Sequence, residues 1–424
     1  MVTNKFYKRS KEEILNAARM FDIYHTTFRE YVKKNPGIIK SSLDRGTISY
    51  PKEMHNDNAL NLLGSRRTNK SFSYGPEEGD KELRQKIVEI ENLRHKTSYS
   101  PDDVAIMPGA WAGLEFVIQE ILNFRKGKAE GKVSVIGPTL YQMFYTPIEH
   151  FGIEMEAYDF VNSNFTHIPE TIEDLDEIFQ NESKIIVITN SNNPDGTYFK
   201  PKVLEEIIHK AEDESFFVVI DEIQNCFSLE GCGLNYGSWI QSPNVIRLDS
   251  PSKRYALSDC RVGWMIGNSK ILYGEIDGKT ITNRVEGAVG RMSGLMGNAP
   301  RIANDFLLSI LDKEKEQLCT KIDPFKDYKK SLIKKRDYII ERLKDVPKVK
   351  KIYLPESCVN VIAEIDYPGT DLELSIELMK KGTLVMPTSG YGYNPKDSVL
   401  RFTFAERNEK LEHSMEIVKN YLSL

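Results

Sequence analysis

From about residue 100 the chain alternates short apolar runs with amphipathic stretches: DVAIM, LEFVIQEILNF, KVSVIG, KIIVIT, VLEEIIHKAEDE, FFVVI, NVIRL and RVGWMIG. Strands that take turns with helices build a largely parallel sheet with helices on both faces, which confines this part of the chain to an α/β architecture. Ligands of such sheets sit beyond the carboxyl ends of the strands, so the residues that follow each apolar run are the ones to search.

The flanks read differently. The first 45 or so residues read as helix, KEEILNAARMF and then TTFREYVKKN, stopped where Pro36 and Gly37 break the pattern. After about residue 300 comes a long charged helix, KIDPFKDYKKSLIKKRDYIIERLKDV, then short strands around SCVNVIAEI and VLRFTFA and a closing helix: a smaller α+β domain. At 424 residues and 48.6 kDa the chain exceeds one simple core. The expected division is an arm over residues 1–48 that belongs with the small domain, a large domain over 49–310 and a small domain over 311–424. There is no internal repeat, and KKSLIKK reads as a solvated helix face.

With 57 Lys and Arg against 62 Asp and Glu, the net charge of -5 gives no electrostatic case for nucleic acid or an acidic membrane, and points to small molecules or a second copy as partners. The opening MVTNKFYKRSKEE is not followed by an apolar segment and no run approaches membrane-spanning length, so a cytoplasmic protein is expected. Cys226, Cys232, Cys260, Cys319 and Cys358 form no CxxC pair and have no histidine at ligand spacing, which argues against a disulfide framework or a zinc site; they read as reduced and structural, with Cys260 a small core residue.

Four stretches carry chemistry. SFFVVIDE ends a buried run in Asp221, where a carboxylate is costly unless a cation or strong donor meets it. A nucleotide triphosphatase strand would end the same way, but it needs a phosphate loop of the form GxxxxGK[ST], and GKAEGKV has the wrong spacing and no hydroxyl. MPGAWAGLEFVIQ passes from strand through Gly109, Ala110 and Trp111 into a helix, which makes either an anion site at the helix N-terminus or a plain turn. In TNSNNPDGTYF, Pro194 and Gly196 mark a sharp loop that either aims Asn193 at a ligand or lets it bond its own backbone. DSPSKRYALSDCRVGW sets Lys253 among Ser250 and Ser252, with Arg261 opening the next strand. Alone, Lys253 is either a surface lysine or, if desolvated near other cations, a nucleophile or base, and an arginine fork suits phosphate.

Taken in order, Gly109-Ala110-Trp111, Asn193-Pro194-x-Gly196, Asp221, Ser250-x-x-Lys253, Arg261 and Arg401 resemble the class I/II aminotransferases, fold type I enzymes that use pyridoxal 5'-phosphate. The resemblance runs from about residue 70 to 410, and S-x-x-K followed eight residues on by R-V-G-W is its most specific part. It implies a large domain with a mainly parallel seven-stranded sheet between helices, plus a smaller α+β domain. It implies that Lys253 carries the cofactor covalently and, once released, moves the substrate proton, and that Asp221 pairs with the pyridinium nitrogen. Asn193 would donate to the ring's phenolic oxygen. Arg261, Ser250, Ser252, Gly109 and the amides of Ala110 and Trp111 would hold the phosphate. Tyr74, in FSYGPEEGDKELR, would reach the phosphate of a neighbouring subunit, which implies a homodimer with shared active sites. Arg401, in VLRFTFA, would clamp the substrate carboxylate, with Gly46 and Asn193 also on the substrate side.

This chain departs from the family pattern in places. Gln224 stands where a tyrosine is usual, an amide that can still donate at the phenolic oxygen. Tyr141 is the ring-stacking residue if the loop GPTLYQMFY carries one extra residue, and Leu140 holds the usual position otherwise. Arg284 and Arg291, in a long insert, are candidates to receive a substrate side-chain carboxylate, and Tyr24, His25 and Arg29 on the arm are candidates to close over the site. The expected activity is transfer of an amino group between an L-amino acid and a 2-oxo acid, with a lyase, cyclase or oxidase of the same fold as the alternative. A non-catalytic regulator is disfavoured, because the arm is too short and too little basic for a DNA-binding domain.

Overall fold

The computed structural model describes residues 5–44, 74–124, 128–161, 168–225, 236–276, 279–280, 287–320, 322 and 326–424. Its centre is an eight-stranded sheet, in spatial order Lys5–Arg9, Glu154–Val161, Lys132–Ile136, Ile185–Thr189, Phe217–Asp221, Val245–Asp249, Gly263–Gly267 and Val104–Met107. The five strands from Glu154–Val161 to Val245–Asp249 run parallel, and Gly263–Gly267 is antiparallel to both its neighbours. Alternate side chains of the central strands enter opposite cores: Val187 and Val219 pack on one face, Ile186, Ile188, Val218 and Ile220 on the other. Covering both faces is what makes these strands read as unbroken apolar runs. The helix Pro201–Glu214 shows the matching helical pattern, burying Val203, Leu204, Ile207, Ile208 and Ala211.

Seven of the eight strands arise within residues 104–267; the eighth, Lys5–Arg9, pairs antiparallel with Glu154–Val161 at the sheet edge. The arm is therefore not helical throughout. Its strand, KFYKR, is short and rich in cationic side chains, as edge strands are, and carries no apolar periodicity by which to find it. The helix Lys11–Lys34 follows, opened by a capping box between Ser10 and Glu13. Ser41–Ser42 then pairs in parallel with Thr383–Leu384, so the arm is tied at one end to the large sheet and at the other to the C-terminal part of the chain.

That C-terminal part holds an antiparallel sheet in the order Val349–Tyr353, Asn360–Ile365, Val399–Thr403, Met386–Pro387, with its own core around Val361, Ala363, Leu400 and Phe402. Among the described residues, no helix is long and apolar enough to cross a membrane.

Candidate active site

Three neighbouring parallel strands, Ile185–Thr189, Phe217–Asp221 and Val245–Asp249, end side by side, and Thr189 is in register with Asp221. Beyond their carboxyl ends lies a cavity of about 340 Å³. Its large-sheet side is formed by Trp111, Thr139, Leu140, Met143, Thr189, Asn193, Asp221, Ile223, Gln224 and Lys253. The arm adds Phe21, His25 and Asp44, and the C-terminal sheet with its preceding turn adds Met386, Tyr391 and Arg401.

Asp221 is 6% exposed, and its Oδ1 accepts the Ile223 N–H at 3.0 Å. It has no ion pair among the described residues. Burial pushes its carboxyl up to about 6, the Ile223 N–H opposes this, and the charge of Glu222 adds to it. A buried carboxylate in this condition is a seat for a cationic ligand.

Glu222, the next residue, is held away from the cavity. Arg247 donates to its Oε2 from Nε at 3.0 Å and from a terminal nitrogen at 2.7 Å, and also meets Glu91 at 2.8 Å. Burial alone would lower the Arg247 guanidinium, but Glu222 and Glu91 together hold it well above its ordinary value. His95 lies within 3.4 Å of both Glu91 and Arg247, and burial pushes its imidazole down to about 3, so it is neutral there. This buried ionic group anchors the strand end that carries Asp221.

Lys253 sits on the short helix Pro251–Arg254, whose entry is fixed twice. Ser250 Oγ accepts the Ser252 N–H at 3.1 Å and donates to the Val262 carbonyl at 2.8 Å, while Asp249 pairs with Arg254 at 2.7 Å. The Ser250 and Ser252 hydroxyls are 2.7 Å apart. Lys253 is thereby half-buried in the cavity wall.

Beside the cavity is an anion corner. The helix Ala110–Ile121 opens at Gly109 (φ 94°), an N-cap residue with no side chain to cap its first amides. The Arg261 guanidinium lies against Gly109, and Gly263 lets its strand approach the Ala110 amide so closely that a β-carbon there would be 2.4 Å from it. Ser250 joins this corner through Val262.

Arg401 is buried at the other end. One terminal nitrogen donates to the Tyr391 hydroxyl, the other to the Asp44 carbonyl, and Nε has no acceptor among the described residues. A buried charged donor left open costs free energy that a substrate carboxylate would relieve. Asn193 Oδ1 and Gln224 Oε1 are likewise buried without partners among the described residues. A seat for a ring cation, an amine, an anion corner and a carboxylate clamp together fit pyridoxal 5'-phosphate and an amino acid.

Residues 48–418 match the family model for aminotransferase class I and II. The chain belongs to this family. It is a pyridoxal-phosphate-dependent aminotransferase with a fold type I architecture, moving an amino group between an L-amino acid and a 2-oxo acid. Among its relatives, a (5-formylfuran-3-yl)methyl phosphate transaminase of Methanocaldococcus jannaschii is 23% identical over 354 residues, 82% of this chain and 83% of the relative. An S-alkyl-thiohydroximate lyase of Arabidopsis thaliana is 21% identical, covering 84% of this chain and 73% of that one. The crystal structure of an aspartate aminotransferase from Thermotoga maritima superposes with a TM-score of 0.75 at 19% identity, over 96% of this chain and 97% of the other.

Of the aminotransferase residues expected from sequence, Trp111, Asn193, Asp221, Gln224, Lys253 and Arg401 line the cavity. Gly109, Ala110, Ser250, Ser252 and Arg261 lie at the adjoining corner. Tyr141 is a correction: Leu140 faces the cavity, whereas Tyr141 opens the helix Gln142–Glu149 and is buried against Gly392 and Arg9. Arg291 is another, because Glu120 engages it at 2.6 Å and the Phe124 carbonyl at 3.1 Å. Of the arm candidates, His25 lines the cavity, Tyr24 is buried and bonds to Asp44, and Arg29 is exposed. Tyr74 is 95% exposed. Gly46, Arg284, Cys226 and Cys232 lie outside the described residues. Cys260, Cys319 and Cys358 are free, and Cys319 is exposed instead of structural.

Sequence reading missed Phe21, Asp44, Thr139, Met386 and Tyr391. Apart from Thr139, in the loop GPTLYQMFY, none stands in a motif, and Tyr391 is recognisable only through its bond to Arg401.

Proposed function

We propose that Lys253, Asp221 and Arg401 divide the work of transamination in this cavity. Bound there, pyridoxal 5'-phosphate supplies an aldehyde that takes up the amino group and a ring that accepts electron density from the donor's Cα. Asp221 keeps a proton on the ring nitrogen. Gln224 and Asn193 offer amide donors beside it, and Arg261, Ser250, Ser252 and the Ala110 and Trp111 amides hold the phosphate. Arg401 fixes the donor's carboxylate, which brings the Cα hydrogen to Lys253 Nζ, the base that removes it. The observation that supports this reading best is that Lys253, Asp221, which has no ion pair among the described residues, and Arg401 all line one cavity.

We assign residues 1–48 to an arm, 49–310 to a large domain and 311–424 to a small one, and place the protein in the cytoplasm on the sequence grounds above. The working form is a homodimer. Tyr74, Leu295 and Met296 are exposed, and Asn298 bonds to the Gly75 carbonyl at 2.7 Å, which brings these apolar side chains to one region. A second copy covering it would receive Tyr74 at its phosphate corner.

The test is a half-reaction. An amino donor should convert the bound cofactor stoichiometrically to the pyridoxamine form, with one 2-oxo acid released per site. Release of ammonia with the cofactor left in its aldehyde form would refute transamination.

A further inference from the structure

Resting on the aminotransferase reading, we infer that the amino donor carries an aromatic or large apolar side chain, received along Tyr391, Phe21 and His25.

The path begins at the clamp. The Tyr391 ring lies 5.2 Å from the Arg401 guanidinium, and its hydroxyl accepts an Arg401 N–H, so whatever Arg401 holds has Tyr391 beside it. Phe21 stands edge-on to Tyr391, with ring centroids 5.0 Å apart and planes at 70°. The next residue along the wall is His25, one helical turn beyond Phe21 and 6.2 Å from its ring. Leu140 and Met143, on the large-sheet side, complete an apolar lining.

This wall is built into the fold. Gly390 has no room for a side chain: a β-carbon there would be 2.3 Å from Phe21 Cδ2, so the arm packs directly on the turn that carries Tyr391. Phe21 and Tyr24 share a core with Met379, Leu384, Met386 and Tyr391.

Charge points the same way. Among the described residues of the cavity, the basic ones besides His25 are Lys253, with a role at the reacting carbon, and Arg401, with a role at its carboxylate. Asp44 sits at the clamp itself, with its carbonyl on Arg401 and its carboxylate bonded by Tyr24 and Ser42. A donor's distal carboxylate would be desolvated against the Phe21 and Tyr391 rings. An aromatic ring would gain edge and face contacts with Phe21 and Tyr391. This separates the chain from the Thermotoga relative, whose name specifies aspartate.

The test is calorimetric titration of the holoenzyme with two carboxylates that lack an amino group, 3-phenylpropanoate and succinate. Phenylpropanoate should bind at least ~10-fold more tightly, from the apolar area it buries. Phe21→Ala should weaken phenylpropanoate by ~10-fold, and Phe21→Leu, which restores an apolar wall, should recover it to within ~3-fold. Succinate binding as tightly or more tightly overturns the inference, as does a folded Phe21→Ala enzyme with unchanged phenylpropanoate affinity. If Phe21→Ala does not fold, the wild-type comparison decides. A panel of L-amino acids separates the two readings: if none forms pyridoxamine phosphate, transamination fails while the titration still judges the pocket. If aspartate reacts faster than phenylalanine, the donor inference fails and transamination stands.

Discussion

Gly109 and Arg261 are in such close contact that a β-carbon at position 109 would lie 2.6 Å from a terminal nitrogen of the arginine. The glycine also adopts φ 94°, outside the range that other residues occupy readily. Gly109→Ala should therefore displace the guanidinium from the anion corner. Loss of one charge-assisted hydrogen bond predicts a cofactor dissociation constant raised ~10- to 100-fold, measured by fluorescence titration of the apoprotein.

Asp221 gives a pH dependence of definite sign. Its folded value of about 6 lies above the ordinary 3.8, so between those pH values the folded apoprotein binds more protons than the unfolded chain. Apoprotein stability should accordingly fall as pH rises from about 4 to about 6 and lose nothing further above it. Asp221→Asn should stabilise the apoprotein at pH 7.5, by about 3 kcal/mol at most, while weakening the cofactor complex. Denaturant unfolding of both forms across this range checks both halves.

Arg247 stands between Glu222 and Glu91 with all three buried. Arg247→Met would take away the cation that Glu222 holds and leave Glu91 the longer Arg94 contact at 4.0 Å, and should cost about 3–5 kcal/mol of stability. Thermal melts of the holoenzyme and apoprotein should both move.

Arg401→Lys keeps the charge but removes the planar fork. With the Tyr391 hydroxyl and Asp44 carbonyl still in place, a single ammonium cannot serve both and the substrate. A fall in kcat/KM of ~10²-fold or more is expected, from steady-state rates with a neutral donor, since misplacement of the carboxylate misplaces Cα.

The large sheet was legible because its strands are covered on both faces and so read as apolar runs. The motif residues were legible because they follow those runs directly. The edge strand Lys5–Arg9 was not, since its pairing is made by backbone groups that leave no side-chain pattern. Leu140 and Tyr141 differ by one position in a loop, and only the start of the helix at Gln142 decides which faces inward. Phe21, Asp44 and Tyr391 reach the cavity from distant parts of the chain, through the packing of the arm on the turn at Gly390, a contact with no local sequence signal.

Lys253 Nζ is proposed as the attachment point of the cofactor. Borohydride reduction of the holoenzyme followed by peptide mapping tests it most directly. A pyridoxyl group is expected on the peptide containing Lys253 and none in Lys253→Ala; a pyridoxyl group on another lysine, with Lys253 unmodified, would overturn the assignment.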